Sequence, residues 1–257
     1  MVGVCSGKGG VGKSTVSVNL ALALRDQGLA IGLVDADLHG PDIPRMLNLT
    51  RRNDADGVDV WVNPRVGPKR IDPIARLGIS VVSAQFFMGE GQAFAAPAGF
   101  AAMFLNRLIN DVRWSHTELL IVDLPPGTGD IQQRLVAMAG LLGVIVVVTP
   151  QDVAHLDARK LVGMLERRNV RVFGGVENMS GLDCPSCGTS IELFHPVPED
   201  RSLWHSVARL ASVPFHAGIT LGDQTGIPVV EAQPSSPPGE AFRQLAIRIR
   251  ELVHLPG

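Results

Sequence analysis

The stretch GKGGVGKST, residues 7–15, constrains this chain more than any other nine residues in it. Gly7, Gly12, Lys13 and Ser14 satisfy the spacing G-x-x-x-x-G-K-[ST]. The match lies between an apolar strand pattern at 2–5 and a helical pattern at 14–27 that Gly28 is placed to end. In that context a strand stops, a glycine-rich turn curls its N–H groups around an anion, and a helix N-terminus adds partial positive charge. Gly7, Gly9, Gly10, Val11, Gly12 and Thr15 are therefore candidates to cradle phosphates. Lys13 is the candidate for the β- and γ-phosphates, and the Ser14 hydroxyl for Mg²⁺.

The rest of the chain supplies the sheet such a loop needs. Apolar runs at 30–34, 79–83, 119–124, 144–149 and 170–178 alternate with helical patterns near 43–47, 100–112, 131–139, 155–168 and 241–253. Strands that are apolar throughout, separated by helices, predict a doubly wound, mostly parallel α/β sheet covered on both faces. The 257 residues read as a single domain. Residues 39–76 read as an irregular excursion, and about 181–205 as an irregular segment carrying cysteines. Polar residues gather at strand C-terminal ends, where open α/β sheets bind ligands. The formal net charge of −2 gives no bulk electrostatic reason for a nucleic-acid or membrane partner. Three cysteines and the absence of a leader pattern read as cytoplasmic.

Three carboxylates are candidates for the chemistry. Asp123 ends the run LLIVD and is expected to anchor Mg²⁺ together with Ser14. Asp37 is expected to orient an attacking water, with Asp35 supporting the metal. The following DLPPGTGD is placed to sense a γ-phosphate through a backbone N–H. Four lysines stand against nineteen arginines, yet two of the four, Lys8 and Lys13, fall in this one loop. Lysine offers a compact ammonium where arginine offers a planar fork. Lys8, at the front of the loop, is a candidate to stabilise charge on a neighbouring subunit's nucleotide during hydrolysis.

Cys184 and Cys187 put two thiols on one turn. Zinc and [4Fe–4S] sites usually take four ligands, so this pair is half a site, which a two-fold dimer would complete. A bridging zinc, a redox dithiol and a bare turn remain open readings. Cys5 reads as a small core residue. His195, His205 and His216 read as surface or core histidines rather than further ligands.

The loop resembles the deviant phosphate-loop signature of the MinD, ParA, ArsA and nitrogenase iron-protein family. VDADLHGPDIP, DLPPGTGD, TPQDVAHLDARK and VENMSG followed by CPSCG resemble its Mrp/ApbC branch of ATP-binding iron–sulfur cluster carriers. The resemblance covers most of the chain. It implies a homodimer in which Lys8 reaches across the interface and a [4Fe–4S] cluster bridges Cys184 and Cys187 of both subunits. It also implies ATP, through an adenine contact at Asn178, and apo iron–sulfur proteins as recipients. Two segments depart from the branch. IELFHPVPEDRSLWHS lacks a glycine-rich stretch, and residues 94–97 stand where W-R-G-P is common. A MinD- or ParA-like positioning switch is the alternative of another class, with the amphipathic C-terminal segment as its membrane element. That segment reads more simply as a helix docked on the sheet.

Overall fold

The computed structural model describes residues 1–38, 40–49, 71–87, 98–184 and 186–253. Eight strands form one sheet: β1 (Val2–Ser6), β2 (Ile31–Asp35), β3 (Ile74–Arg76), β4 (Ile79–Ser83), β5 (Leu119–Asp123), β6 (Gly143–Val148), β7 (Val172–Asn178) and β10 (Arg209–Val213). Their order is β10-β7-β6-β1-β5-β2-β4-β3. Neighbours run parallel except β3, which returns antiparallel on β4 at the sheet edge. Two further short strands, β8 (Leu182–Asp183) and β9 (Ser190–Ile191), pair as a separate antiparallel hairpin.

Strand alternation divides the core into two layers. Val2, Val4, Ile31, Leu33, Leu119, Ile121, Ile145 and Val147 face one side. They pack there with α1 (Lys13–Arg25), α2 (Ile43–Met46), α7 (Val229–Ala232) and α8 (Pro237–Leu252). Cys5, Val34, Val122, Val144, Val146 and Val148 face the other, against α3 (Ala98–Asn110), α4 (Asp130–Met138) and α5 (Asp152–Arg167). Covering on both faces is what permits strands with no polar side, since each residue's side chain finds apolar neighbours whichever way it points.

The strands and helices expected from apolar periodicity are present, with boundaries moved by a few residues. Among the described residues, strands β3, β8, β9 and β10 and helices α6 (Ala217–Thr225) and α7 were not anticipated. β10 reads RLASV, with exposed and buried positions interleaved, because it is a sheet edge. The excursion at 39–76 contains α2 and leads into β3, while its residues 50–70, like 94–97, lie outside the described residues.

α8 buries Phe242, Leu245, Ala246 and Ile249 against α1 and β10, so its apolar face is already covered. Among the described residues no helix is long and apolar enough to cross a membrane. Phe242 is fully buried. Its truncation, Phe242→Ala, is expected to cost about 3–5 kcal/mol in a urea titration. A change below about 1 kcal/mol would mean that the helix is only loosely seated.

Candidate nucleotide site and cysteine hairpin

β1 sits between β5 and β6, so the crevice opens where the strand order reverses. The loop leaves β1 after Ser6 and enters α1 at Lys13, through Gly10 and Gly12 with left-handed φ of 77° and 82°. Only glycine adopts such angles at little cost. A side chain at Gly7 would overlap the Asp157–Ala158 backbone of α5, so the loop is packed as tightly as it is bent. The loop forms one wall of a cavity of about 600 Å³. Ser6, Gly9, Gly10, Gly12, Lys13, Ser14 and Thr15 line that wall, with Asp37 and Pro126 beside them. Across from the loop stand Asp42, Arg45 and Met46, together with Thr220, Asp223 and Gln224 of α6.

Lys13 is nearly buried and donates to Asp123 Oδ2 at 2.7 Å, with Asp37 Oδ2 at 3.4 Å. Burial alone would lower its hold on the proton. The charges of Asp123, Asp37 and Asp35 outweigh that and hold the ammonium above its ordinary value. Ser14 Oγ donates to Asp123 Oδ2 at 2.7 Å, and Ser17 Oγ to Asp123 Oδ1 at 2.6 Å. Asp35 is fully buried, accepts from Ser83 Oγ at 2.8 Å and does not line the cavity. Burial and then the neighbouring charge of Asp123 drive its carboxyl well above the usual range. The Gly127 N–H donates to the Ser6 carbonyl and Pro126 has none, so these two residues offer no amide to a γ-phosphate.

Lys8 turns away from the cavity: its Nζ donates to Gln151 Oε1 at 2.9 Å, at the entrance to α5. Asn178 ends β7 and is almost fully buried. Its Nδ2 donates to the Val11 carbonyl at 2.9 Å, and a side chain at Gly12 would overlap it. It braces the loop from behind, and the next residue, Met179, lines the cavity in its place.

Cys184 and Cys187 sit at the tip of the β8–β9 hairpin, one half-buried and one exposed. The Cys184 N–H donates to Thr189 O, and Gly188 N–H to Cys184 O, which closes the turn. The Cys187 thiol donates to Thr189 Oγ1 at 3.3 Å, and hydrogen bonding with the side chain and backbone of Thr189, then with Cys184, holds it below its ordinary value. Cys5, fully buried, is pushed up to about 12 and behaves as core. No group of three His, Cys, Asp or Glu residues suited to a metal occurs among the described residues.

Comparison with known proteins decides the family. A family model described as ParA, NUBPL iron-transfer P-loop NTPase, matches residues 1–250. The chain belongs to that family. The Haemophilus influenzae iron–sulfur cluster carrier protein is 39% identical over 258 residues, covering 100% of this chain and 67% of its own length. The mouse iron–sulfur cluster transfer protein NUBPL is 37% identical, covering 96% of this chain and 75% of its own. Among solved structures, a nucleotide-binding protein from Archaeoglobus fulgidus in complex with ADP superposes with a TM-score of 0.70 at 31% identity. That match covers 94% of this chain and 90% of the other. MinD of Pyrococcus horikoshii gives 0.72 at 21% identity, covering 98% and 96%, and shares the fold.

Within this family frame, the structure brings Lys13, Ser14 and Asp37 to one cavity wall, with Asp123 buried behind Lys13 and Ser14 and bonded to both, and sets Lys8, Asp35 and Asn178 off that wall. Sequence reasoning missed Ser17, Ser83, Gln151 and the α6 wall. Ser17 had a signal, since it lies one helical turn beyond Lys13 and so on the same face of α1. The others depend on tertiary packing.

Asp223 carries a testable consequence. Burial, then the charge of Asp42, raise its carboxyl to about 6. Its unfolded value is about 4, so the native state holds the extra proton and stability falls as pH rises from about 4 to 6. Asp223→Asn is therefore expected to raise the melting temperature at pH 7 and to leave it unchanged below pH 4. An equal effect at both pH values would show that the carboxylate charge is not the cause.

Proposed function

We propose that this chain is an ATP-hydrolysing carrier of iron–sulfur clusters that works as a homodimer. Its cargo is a [4Fe–4S] cluster held between subunits by Cys184 and Cys187 of each, for delivery to apo iron–sulfur proteins. The observation that carries the reading is that β7 ends at Asn178 against the back of the phosphate loop, and the chain runs on from there within six residues to a two-thiol hairpin. A positioning switch has no use for such a pair of thiols. The relatives named as cluster carriers support the same cargo.

Mg²⁺ fits the residues present. The Ser14 hydroxyl and the Asp123 carboxylate are hard oxygen donors 2.7 Å apart, the serine on the cavity wall and the carboxylate buried behind it. They would hold the ion, which supplies positive charge against the phosphates. Asp35, buried behind them, supports the site through the field it adds around Lys13.

Hydrolysis transfers the γ-phosphoryl group of ATP to water. The new P–O bond forms as the bond to the bridging oxygen breaks, leaving ADP and inorganic phosphate. The loop amides and Lys13 grip the phosphates, and Asp37 at the cavity wall orients the water. Lys8, directed away from its own cavity, is free of that task and serves the active site of the partner subunit. Lys8→Ala is expected to lower kcat by about 10²–10³-fold, the loss usual for one transition-state donor, with nucleotide affinity little changed. Unchanged turnover would remove Lys8 from the mechanism.

Cargo binding is tested by anaerobic reconstitution with iron and sulfide, read by Mössbauer spectra and mass in solution. About four irons per two chains are expected, lost in Cys184→Ala and in Cys187→Ala. A dimer that holds only zinc, or a cluster indifferent to these cysteines, would overturn the carrier reading.

A further inference from the structure

We infer that Asn178 and Met179 are positioning residues that join nucleotide occupancy to the geometry of the cysteine hairpin. The inference rests on the reading of the loop as a nucleotide site, but not on the identity of the cargo.

The argument begins at Val11. Loop N–H groups that turn inward towards a phosphate leave their carbonyls outward, and the Val11 carbonyl is held by Asn178 Nδ2 at 2.9 Å. A carbonyl accepts only, so this contact fixes which way the carboxamide faces. The space between Gly12 and this amide would not admit a methyl group. A contact without slack transmits displacement, because packed interiors compress little. A shift of Val11 and Gly12 on phosphate binding therefore moves the end of β7.

Met179 adds a second input at the same point. It lines the nucleotide cavity, so a bound nucleotide touches the residue directly after the brace. It also holds a left-handed φ of 57°, sparsely populated by residues with side chains. Such a residue is a natural pivot, since it persists only where its surroundings hold it.

Beyond the pivot the chain is tied at each step. Ser180 N–H donates to Val213 O at 3.0 Å, and Phe215 N–H to Gly181 O at 2.7 Å. Leu182 and Asp183 then form β8, and Cys184 follows. Six residue steps separate Asn178 from Cys184, no more than about 20 Å of extended chain. On the other face of β7, Glu177 accepts from Trp204 Nε1 at 3.1 Å and from Arg209 at 2.9 Å. The strand is thus clamped just before the pivot, and motion has one direction to go: along 179–183 into the hairpin.

The test reads the thiols rather than turnover. Full-length protein is kept anaerobic and cluster-free. Alkylation of Cys184 and Cys187 by iodoacetamide is timed by mass spectrometry, with and without a saturating non-hydrolysable ATP analogue and Mg²⁺. Buried Cys5 is the internal control for unfolding. Calorimetry confirms nucleotide saturation of each protein. Nucleotide is expected to change the wild-type rate by about five-fold or more, the lower range of coupling between distinct sites. Asn178→Asp keeps the shape but loses the donor, and Met179→Gly frees the pivot. Both are expected to bring the rate ratio close to one at saturation, while Met179→Leu keeps it. A wild type that binds nucleotide with unchanged thiol rates would overturn the relay and leave the nucleotide site standing. So would a full rate ratio in Met179→Gly, even if Asn178→Asp fails to fold. A wild type that binds no nucleotide would sink the relay and the nucleotide site together, and calorimetry alone identifies that case.

Discussion

The structure turns on the buried carboxylate of Asp123. A lone carboxylate in a protein interior is strongly disfavoured unless its lone pairs are met. Here Lys13, Ser14 and Ser17 meet them from the first five residues of α1. Those three bonds fix how the helix sits over the C-terminal end of β5, and with it the loop that precedes the helix. β5 pairs with both β1 and β2, so one side chain ties the start of the loop, the start of the helix and the aspartates that end β2 into one unit. Breaking one member of such a network strands the others, which is why its parts act together.

The same network leaves an excess of negative charge. Asp35, Asp37 and Asp123 surround one ammonium, and Asp42 and Asp223 add to the far wall of the cavity beside Arg45. Burial raises the carboxyl of Asp35, which eases the crowding without removing it. A polyphosphate entering this cavity meets favourable amides and one lysine on one side and carboxylates on the other. A divalent cation accompanying it would reverse the sign of that second interaction. The acidity of the site and its suitability for a metal-bound nucleotide are thus two aspects of one charge arrangement.

What could be read from the sequence follows a physical division. The loop, the parallel strands and their covering helices are local: glycine spacing, apolar runs and a 3.6-residue period report them without reference to the rest of the chain. β10 and α6 are not local in this sense. β10 alternates weakly because an edge strand has one neighbour, and α6, AGITLGDQT, has little apolar face and two glycines. Among site residues, Lys13, Ser14 and Asp123 were legible because each stands at the end of a regular element. Asn178 was named only through the resemblance, as an adenine contact, and nothing local in the sequence pointed to its place behind the loop. Only the folded chain shows that the carboxamide meets the Val11 carbonyl, and that Met179 occupies the cavity wall. The second departure from the branch pattern, at 94–97, falls outside the described residues.

If the proposed carrier reading holds, the cysteine hairpin shows how little structure a transferable site needs. It projects from the sheet on two short strands and offers two thiols to solvent, one of them held below its ordinary value by hydrogen bonding. A closed four-ligand site within one chain would hold a metal group tightly, since every ligand would be positioned by the same fold. Two ligands per chain would, on that reading, instead divide the coordination sphere along a two-fold axis. On the proposed reading, any change that separates or rotates the subunits then exposes half the coordination sphere to thiols from a recipient. Retention of the cargo becomes a property of the interface rather than of either subunit. On the same reading, a nucleotide bound beside the end of β7 would be placed to act on that interface.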